Sequence, residues 1–230
     1  MAIKNNKIVV ISLGGSLIAP PGGVDIFFLK KFRKLIFDFV KKRYKFVIVC
    51  GGGDACRKYQ VAAKEVAGLS GKDLDWVGIY VTWLHANFVR GLLGGIAGAN
   101  IITDPTVKLN WNSKVLVAGG WMPGCSTDFD AVKLAQGLGA GTVINISNVD
   151  YVYDRDPKIT GAKKIEKMNW KDLQKIVGTK WSPGAHVPFD PIATKLGAQL
   201  GVVLKFVSGA DLLQVSRAIV GDKFKGTIVG

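Results

Sequence analysis

Three short apolar runs in this chain each end in glycine. Ile8 to Leu13 leads into Gly14-Gly15-Ser16, Phe46 to Cys50 into Gly51-Gly52-Gly53, and Val115 to Ala118 into Gly119-Gly120. Apolar runs of this length, bounded by turn residues, read as strands buried on both faces. Strands of that kind belong to parallel sheets covered by helices. Open sheets of this class bind ligands outside the carboxyl ends of their strands. Glycine at such an exit lets the backbone approach a phosphate, and the N–H groups of a following helix start can cradle an anion. A lone glycine pair usually makes only a turn, but three in register form a constellation. The chain holds 29 glycines in 230 residues, well above the usual ~7%.

A fourth run, Thr142 to Ile146, exits differently, into Ser147-Asn148-Val149-Asp150-Tyr151-Val152-Tyr153-Asp154-Arg155-Asp156-Pro157. An amide, a hydroxyl, aromatic rings and carboxylates so close to a strand end suit a nucleotide. A ring can pack on the base, acceptors can meet ribose and adenine donors, and a carboxylate can lie near a metal. The competing reading is an acidic turn, with a hairpin through Asp156-Pro157.

Between these exits the pattern alternates strand with helix. A helix from about Asp25, which can cap it, carries the buried stripe Phe28, Phe32, Leu35, Ile36, Phe39 and Val40. A second opens at Asp54 and contains Arg57, and helical material continues to about Gly98, with Trp76 to Ile96 read as a buried helix pair. Short strands are expected near Asn100 to Thr103 and Val115 to Ala118, then a helix Thr127 to Leu138 capped by Ser126 or Thr127. Helices near Lys171 to Val177, Pro191 to Leu200 and Asp211 to Val220 bracket a strand Val202 to Phe206, and Thr227 to Val229 closes the chain. The expected architecture is α/β: a three-layer sandwich, its central, mainly parallel sheet covered by helices on both faces. One domain over residues 1–230 is expected.

Composition restricts the function classes. No run reaches the ~18 apolar residues of a membrane span, and the first apolar run is too short for a secretory signal. Cys50, Cys56 and Cys125 have neither a disulfide framework nor metal-ligand spacing, so a cytoplasmic protein is expected. The net charge is +14, and residues 1–60 hold twelve Lys or Arg against three Asp. Most of that charge decorates the solvent side of the first long helix (Lys30, Lys31, Lys34, Lys41, Lys42). A basic face of this kind is more often solvated than bound to nucleic acid, and no aromatic RNA-reading motif accompanies it. There is no G-x-x-x-x-G-K-[ST] phosphate loop and no dinucleotide fingerprint. His85 and His186, the two histidines, lie far apart; His85, on an apolar helical segment, reads as a core residue. Ser12, Ser16 and Ser126 lack a nucleophile-elbow context.

Taken in order, Gly14-Gly15-Ser16, Gly51-Gly52-Gly53 with Arg57, Gly119-Gly120 with Pro123-Gly124, Ser126-Thr127-Asp128, Asn148-Val149-Asp150 with Tyr153 and Asp156-Pro157, and Asp190-Pro191 resemble the amino-acid kinase fold. Within that fold they resemble the archaeal-type uridylate kinases, from about Ile8 to the end of the chain. The resemblance implies ATP-dependent phosphorylation of UMP to UDP in pyrimidine nucleotide biosynthesis, with Mg²⁺ and in a homohexamer. It implies an acceptor-binding part over about 1–140 and an ATP-binding part over about 141–230. Gly15, Ser16, Gly53 and Arg57 would contact the ATP phosphates, while Ser147, Asn148, Tyr153 and Asp156 would hold the adenosine end. Gly52 would lie against the UMP phosphate and Asp75 would accept from the UMP ribose. Trp121, Met122, Pro123, Gly124, Cys125, Ser126 and Thr127 would form the acceptor loop, Asp128 would organise the phosphate or metal region, and Asp128 and Arg57 would be the catalytic residues.

The same comparison exposes departures. Many members carry lysine where this chain has Ser12, which puts Lys7, Lys114 and Lys195 forward as replacements for the lost charge. Members commonly have arginine at Trp83 or its neighbour and asparagine at His85, and glycine is usual at Tyr151. The alternatives these departures raise are a nucleotide-binding sensor or storage protein that has lost transfer, and a kinase of the same fold with a different acceptor.

Overall fold

The computed structural model describes residues 7–109, 111–180 and 187–230; His186 lies outside them. Its centre is a seven-stranded sheet. The strands are β1 (Ile8–Leu13), β2 (Lys45–Cys50), β3 (Val115–Ala118), β4 (Thr142–Ser147), β7 (Lys167–Met168), β8 (Val203–Ser208) and β9 (Gly226–Val229), in the order β3-β2-β1-β4-β8-β9-β7. A separate hairpin pairs β5 (Val152–Tyr153) with β6 (Lys164–Ile165), as Asp156-Pro157 foretold. All sheet pairings are parallel except β8 with β9.

Alternate residues of each strand feed two cores. Val9, Ile11, Leu13, Phe46, Ile48 and Ile146 pack under α2 (Ile26–Lys41), the C-terminal half of α4 (Gly71–Leu93) and α8 (Leu212–Val220). Val10, Val47, Val49, Val143, Leu204 and Phe206 pack under α5 (Thr127–Leu138), α6 (Trp170–Val177) and α7 (Pro191–Leu200). With both faces covered, side chains of either parity are apolar, and this is why the strands read as continuous runs rather than alternating ones. The sandwich is the expected one. Helix starts follow local chemistry: Asp25 accepts from Phe28 N, Ser126 from Phe129 N, Asp190 from Ala193 N and Asp211 from Leu213 N, satisfying N–H groups that helix geometry leaves orphaned.

Three features differ from the expectation. Trp76 to Ile96 is no helix pair: α4 runs unbroken to Leu93 and continues as one 3₁₀ turn, Gly94–Ile96. Its glycines at 78 and 91 lie inside the helix and cost helix propensity without breaking it. Nor is it buried all round, since Trp76, Tyr80, Leu84 and Phe88 are exposed. Asn100 to Thr103 forms no strand; one bridge joins Ile102 to Ala118. A single-turn helix α1 (Gly15–Ile18) follows β1, where none was expected; α3 (Gly53–Ala67), the helix expected from Asp54, has no buried residue.

Candidate active site

β1 lies between β2 and β4, so the chain winds outward from it in both directions, and the carboxyl ends of these strands open a crevice. A cavity of about 350 Å³ fills it. Its wall includes the β1 exit (Gly14 to Leu17), the β2 exit (Gly51 to Gly53), Gly120 after β3, and Ser147 and Asn148 after β4.

The first two exits touch backbone to backbone. A Cβ on Gly15 would lie 2.3 Å from Gly51 O and 2.4 Å from Gly53 N; a Cβ on Gly53 would lie 2.3 Å from Gly15 C and Ser16 N. Gly53 also has φ +59°, a conformation costly to side chains. Gly51 N donates to Leu13 O (2.9 Å) and Gly14 N to Ile146 O (2.9 Å), which ties β1, β2 and β4 together at their ends. Gly53→Ala is therefore expected to destabilise the fold by on the order of 3–5 kcal/mol, through backbone clash and strain together. Gly68, at φ +64° with open space around it, isolates the conformational part: Gly68→Ala should cost only ~1–2 kcal/mol. Urea unfolding of both variants checks the difference.

Arg57, on the first turns of α3, points its Nη2 at Ser16 Oγ (3.4 Å) and lies 4.0 Å from Asp54 Oδ1. It is the only cationic side chain lining the cavity among the described residues. Lys7, Lys114 and Lys195 do not line it, and Lys7 Nζ donates to Tyr44 OH instead. The expectation that one of them replaces the missing lysine is corrected accordingly.

Asp128 opens α5 on the cavity floor. Its Oδ1 accepts from Ser12 Oγ (2.8 Å) and Asn145 Nδ2 (3.0 Å), and its Oδ2 from Asp190 N (3.2 Å). Burial raises its pKa to about 6, against the pull of the Ser12 hydrogen bond and with the help of the Asp190 charge. Asp190, pushed up mainly by burial, caps α7 with Oδ1 and leaves Oδ2 buried without a partner among the described residues. Asp75 also lines the cavity, and its Oδ2 accepts from Gly124 N (2.8 Å).

Of the residues read from the sequence, the cavity brings together Gly15, Ser16, Gly52, Gly53, Arg57, Asp75, Cys125, Ser126, Thr127, Asp128, Ser147 and Asn148. Trp121, Met122, Pro123 and Gly124 do not line it, although they lead directly into Cys125. Tyr153 and Asp156 are also outside it. Tyr153 OH donates to Asp150 Oδ1 (2.7 Å), and Asp156 Oδ1 accepts from Lys158 N (2.9 Å) within its own turn. His85 is a core residue as expected. Its Nδ1 lies 2.8 Å from Gly51 O, and a carbonyl can only accept, so Nδ1 carries the proton. Lining residues the sequence did not reveal are Cys56, Gln60, Gly78, Ile79, Thr82, Asn145, Val187 and Pro188. Gln60, Gly78, Ile79 and Thr82 lie on helix faces that look like core in the sequence, and Asn145 sits inside a strand.

A glycine-walled crevice holding one guanidinium opposite buried carboxylates defines a phosphate-handling α/β protein. The chain belongs to the amino acid kinase family, whose profile matches residues 7–204. It is 34% identical to the uridylate kinase of Pyrococcus abyssi, over 96% of this chain and 98% of that protein. It is 31% identical to the uridylate kinase of Methanocorpusculum labreanum, over 96% and 95%. The crystal structure of uridylate kinase from Archaeoglobus fulgidus superposes with a TM-score of 0.81 at 30% identity, covering 97% of this chain and all of that one. A UMP kinase structure from Bacillus anthracis, at 20% identity and TM-score 0.77, shares the fold.

Proposed function

We propose that this chain transfers the terminal phosphoryl group of ATP to UMP, giving UDP and ADP by direct displacement. The carrying observation is the single cavity in which Gly15, Ser16, Gly53 and Arg57 face Asp128 and the segment Cys125 to Thr127. That arrangement gathers the phosphate-approaching glycines, one guanidinium and the expected acceptor segment in one cavity. The uridylate kinases that match nearly the whole chain support the choice of UMP.

Phosphoryl transfer asks the protein chiefly for positioning and charge stabilisation. Gly15 and Gly53 bring backbone close to the donor phosphates, and Arg57 holds the phosphate in motion with a fork that an ammonium cannot match. Ser147 and Asn148 meet the adenosine end, while Tyr153 and Asp156, which the family resemblance also assigns there, lie outside the cavity and are held by contacts to Asp150 and Lys158. Gly52 meets the acceptor phosphate, Asp75 the ribose, and Trp121 to Thr127 form the acceptor loop. The acceptor part is then about residues 1–140 and the ATP part about 141–230, within one domain.

Three carboxylates and one guanidinium line the cavity, a poor charge balance for two phosphate esters. The buried Oδ2 of Asp190, without a partner, and the neighbouring Asp128 fit a Mg²⁺ ion that arrives with ATP, since Mg²⁺ takes one or two carboxylates plus phosphate oxygens. Asp128 and Asp190 would hold such an ion, and it would supply positive charge to offset that of the phosphates. Ser12, Asn145 and the Asp190 N–H then keep the Asp128 carboxylate fixed in orientation. The protein works as a homohexamer in the cytoplasm.

The absence of any lysine among the described lining residues favours one second reading, a nucleotide binder without transfer. ADP release from Mg²⁺-ATP with UMP, CMP, dUMP, GMP and AMP as separate acceptors decides between them. Turnover selective for UMP is the expected result. ATP binding by calorimetry without turnover on any acceptor would establish the binder instead.

A further inference from the structure

Past Gly119, whose N–H donates to Ile102 O (3.0 Å), the chain leaves the edge strand β3 and the backbone ladder ends. Its polar main-chain groups turn to side chains instead. Gly120 N donates to Thr82 Oγ1 (2.7 Å), Trp83 Nε1 donates to Gly120 O (2.7 Å), and Trp121 N donates to Asp130 Oδ2 (3.1 Å). The second and third of these bonds hold one peptide group. Gly120 C=O and Trp121 N–H are its two ends, and in a planar trans peptide they point in opposite directions. Trp83 lies on α4 and Asp130 on α5, which pack on opposite faces of the sheet. The peptide is gripped across its plane from both helix layers.

Both side chains are otherwise hard to explain. Asp130 is 1% exposed, its Oδ1 has no partner among the described residues, and the bond to Trp121 N is the one its carboxylate makes there. Burying a carboxylate with so little compensation is costly. Leucine has the same branching without that cost; what it lacks is an acceptor. The Trp83 indole lies so close to Gly119 that a Cβ there would be 2.5 Å from its Cδ1, and glycine leaves the room it needs to reach the next carbonyl. Neither Trp83 nor Asp130 lines the cavity, whereas Gly120 and Cys125 to Thr127 do.

We propose that Trp83 and Asp130 are positioning residues for the acceptor: by holding opposite ends of the 120–121 peptide they fix the course of the loop into Cys125, Ser126 and Thr127. That role rests on reading residues 121–127 as the acceptor loop. Glycine at 120 makes the restraint necessary, because it leaves the adjoining peptide free to rotate. Rotation breaks both bonds at once, so each side chain guards the bond made by the other. Both act from outside the cavity, through the backbone they hold.

The test uses the full chain and three variants. Trp83→Phe keeps a ring and removes the N–H, Asp130→Leu removes the acceptor, and Asp130→Asn keeps an acceptor oxygen without the charge. Hydrogen exchange follows the Trp121 amide against the core amides of Val10 and Val47, and kinetics give KM for UMP and for ATP. In Trp83→Phe the Trp121 amide is expected to exchange at least about fivefold faster, although its own partner Asp130 is untouched, with the core amides unchanged. KM for UMP should rise about fivefold, the worth of one hydrogen bond, with KM for ATP unchanged. Asp130→Leu should reproduce that pattern, and Asp130→Asn should bring KM for UMP back to within about twofold of wild type. Should Asp130→Leu not fold, Trp83→Phe decides. An unchanged Trp121 amide in Trp83→Phe, or both KM values rising together, would overturn the clamp. Asp130→Asn as impaired as Asp130→Leu would overturn the role given to the carboxylate oxygen. Failure of the acceptor reading looks different. If the wild type turns over another acceptor in place of UMP, the same KM shift on that acceptor upholds the clamp and only the choice of UMP fails. A wild type that turns over no acceptor would overturn the role in acceptor binding, whatever the exchange.

Discussion

Arg57→Ala is expected to lower kcat by about two to three orders of magnitude, the usual consequence of deleting one preorganised charge from a transition-state site. It is the only cation among the described residues lining the cavity, so no neighbouring lysine is positioned to substitute. The side chain makes only a 3.4 Å contact to Ser16 and a 4.0 Å ion pair with Asp54. Its loss should therefore leave unfolding within about 0.5 kcal/mol of wild type. Arg57→Lys restores charge without the planar fork and should recover only part of the rate. Steady-state kinetics beside urea unfolding checks both halves; near-normal turnover in Arg57→Ala would show that the second glycine exit has been assigned the wrong role.

Asp128→Asn should separate stability from activity. The carboxyl has a pKa of about 6 in the folded chain and about 3.9 unfolded. Below pH 4 it is neutral in both states. Between about pH 4 and 6 the unfolded chain releases its proton while the folded chain keeps it, so stability falls as pH rises through that window. Above it both are ionised and the deficit stays near 3 kcal/mol. Asparagine removes the charge but mismatches the Asp190 N–H donor, so the net gain above pH 6 should be on the order of 1–2 kcal/mol. Thermal melts at pH 4.5 and pH 7.5 should show the variant gaining on wild type only at the higher pH. Turnover should fall at least about a hundredfold if the residue has the proposed role of organising the reacting phosphates. A variant less stable than wild type at pH 7.5 would mean that hydrogen bonding outweighs burial at this carboxylate.

The sheet was legible because its strands are buried on both faces and end in residues that only a turn or a close approach requires. Gly15 and Gly53 are the clearest cases: the sequence marks them as glycine, and the structure shows each blocking the other's Cβ. Helix starts at Asp25 and Ser126 were legible through their caps. The site was harder to read wherever a functional residue looks like core. Ser12 and Asn145, which hold Asp128, alternate inside strands. Thr82 and Trp83, which hold Gly120, lie on a helix whose apolar pattern hid an exposed stripe beside a site-facing one. The break expected in α4 came from its glycines, which carry a local penalty that packing overrides. Tyr153 and Asp156 were placed at the adenosine end by motif order, but in this structure the hairpin satisfies them internally.

The most direct measurement follows label from [γ-³²P]ATP with UMP and Mg²⁺, analysing both products and protein after a single turnover. Direct transfer requires the label in the β-phosphate of UDP, in amounts equal to the ADP released, with none retained on the chain. Label bound covalently to the protein, or released as inorganic phosphate with UMP unchanged, would contradict the transfer this site is built to perform.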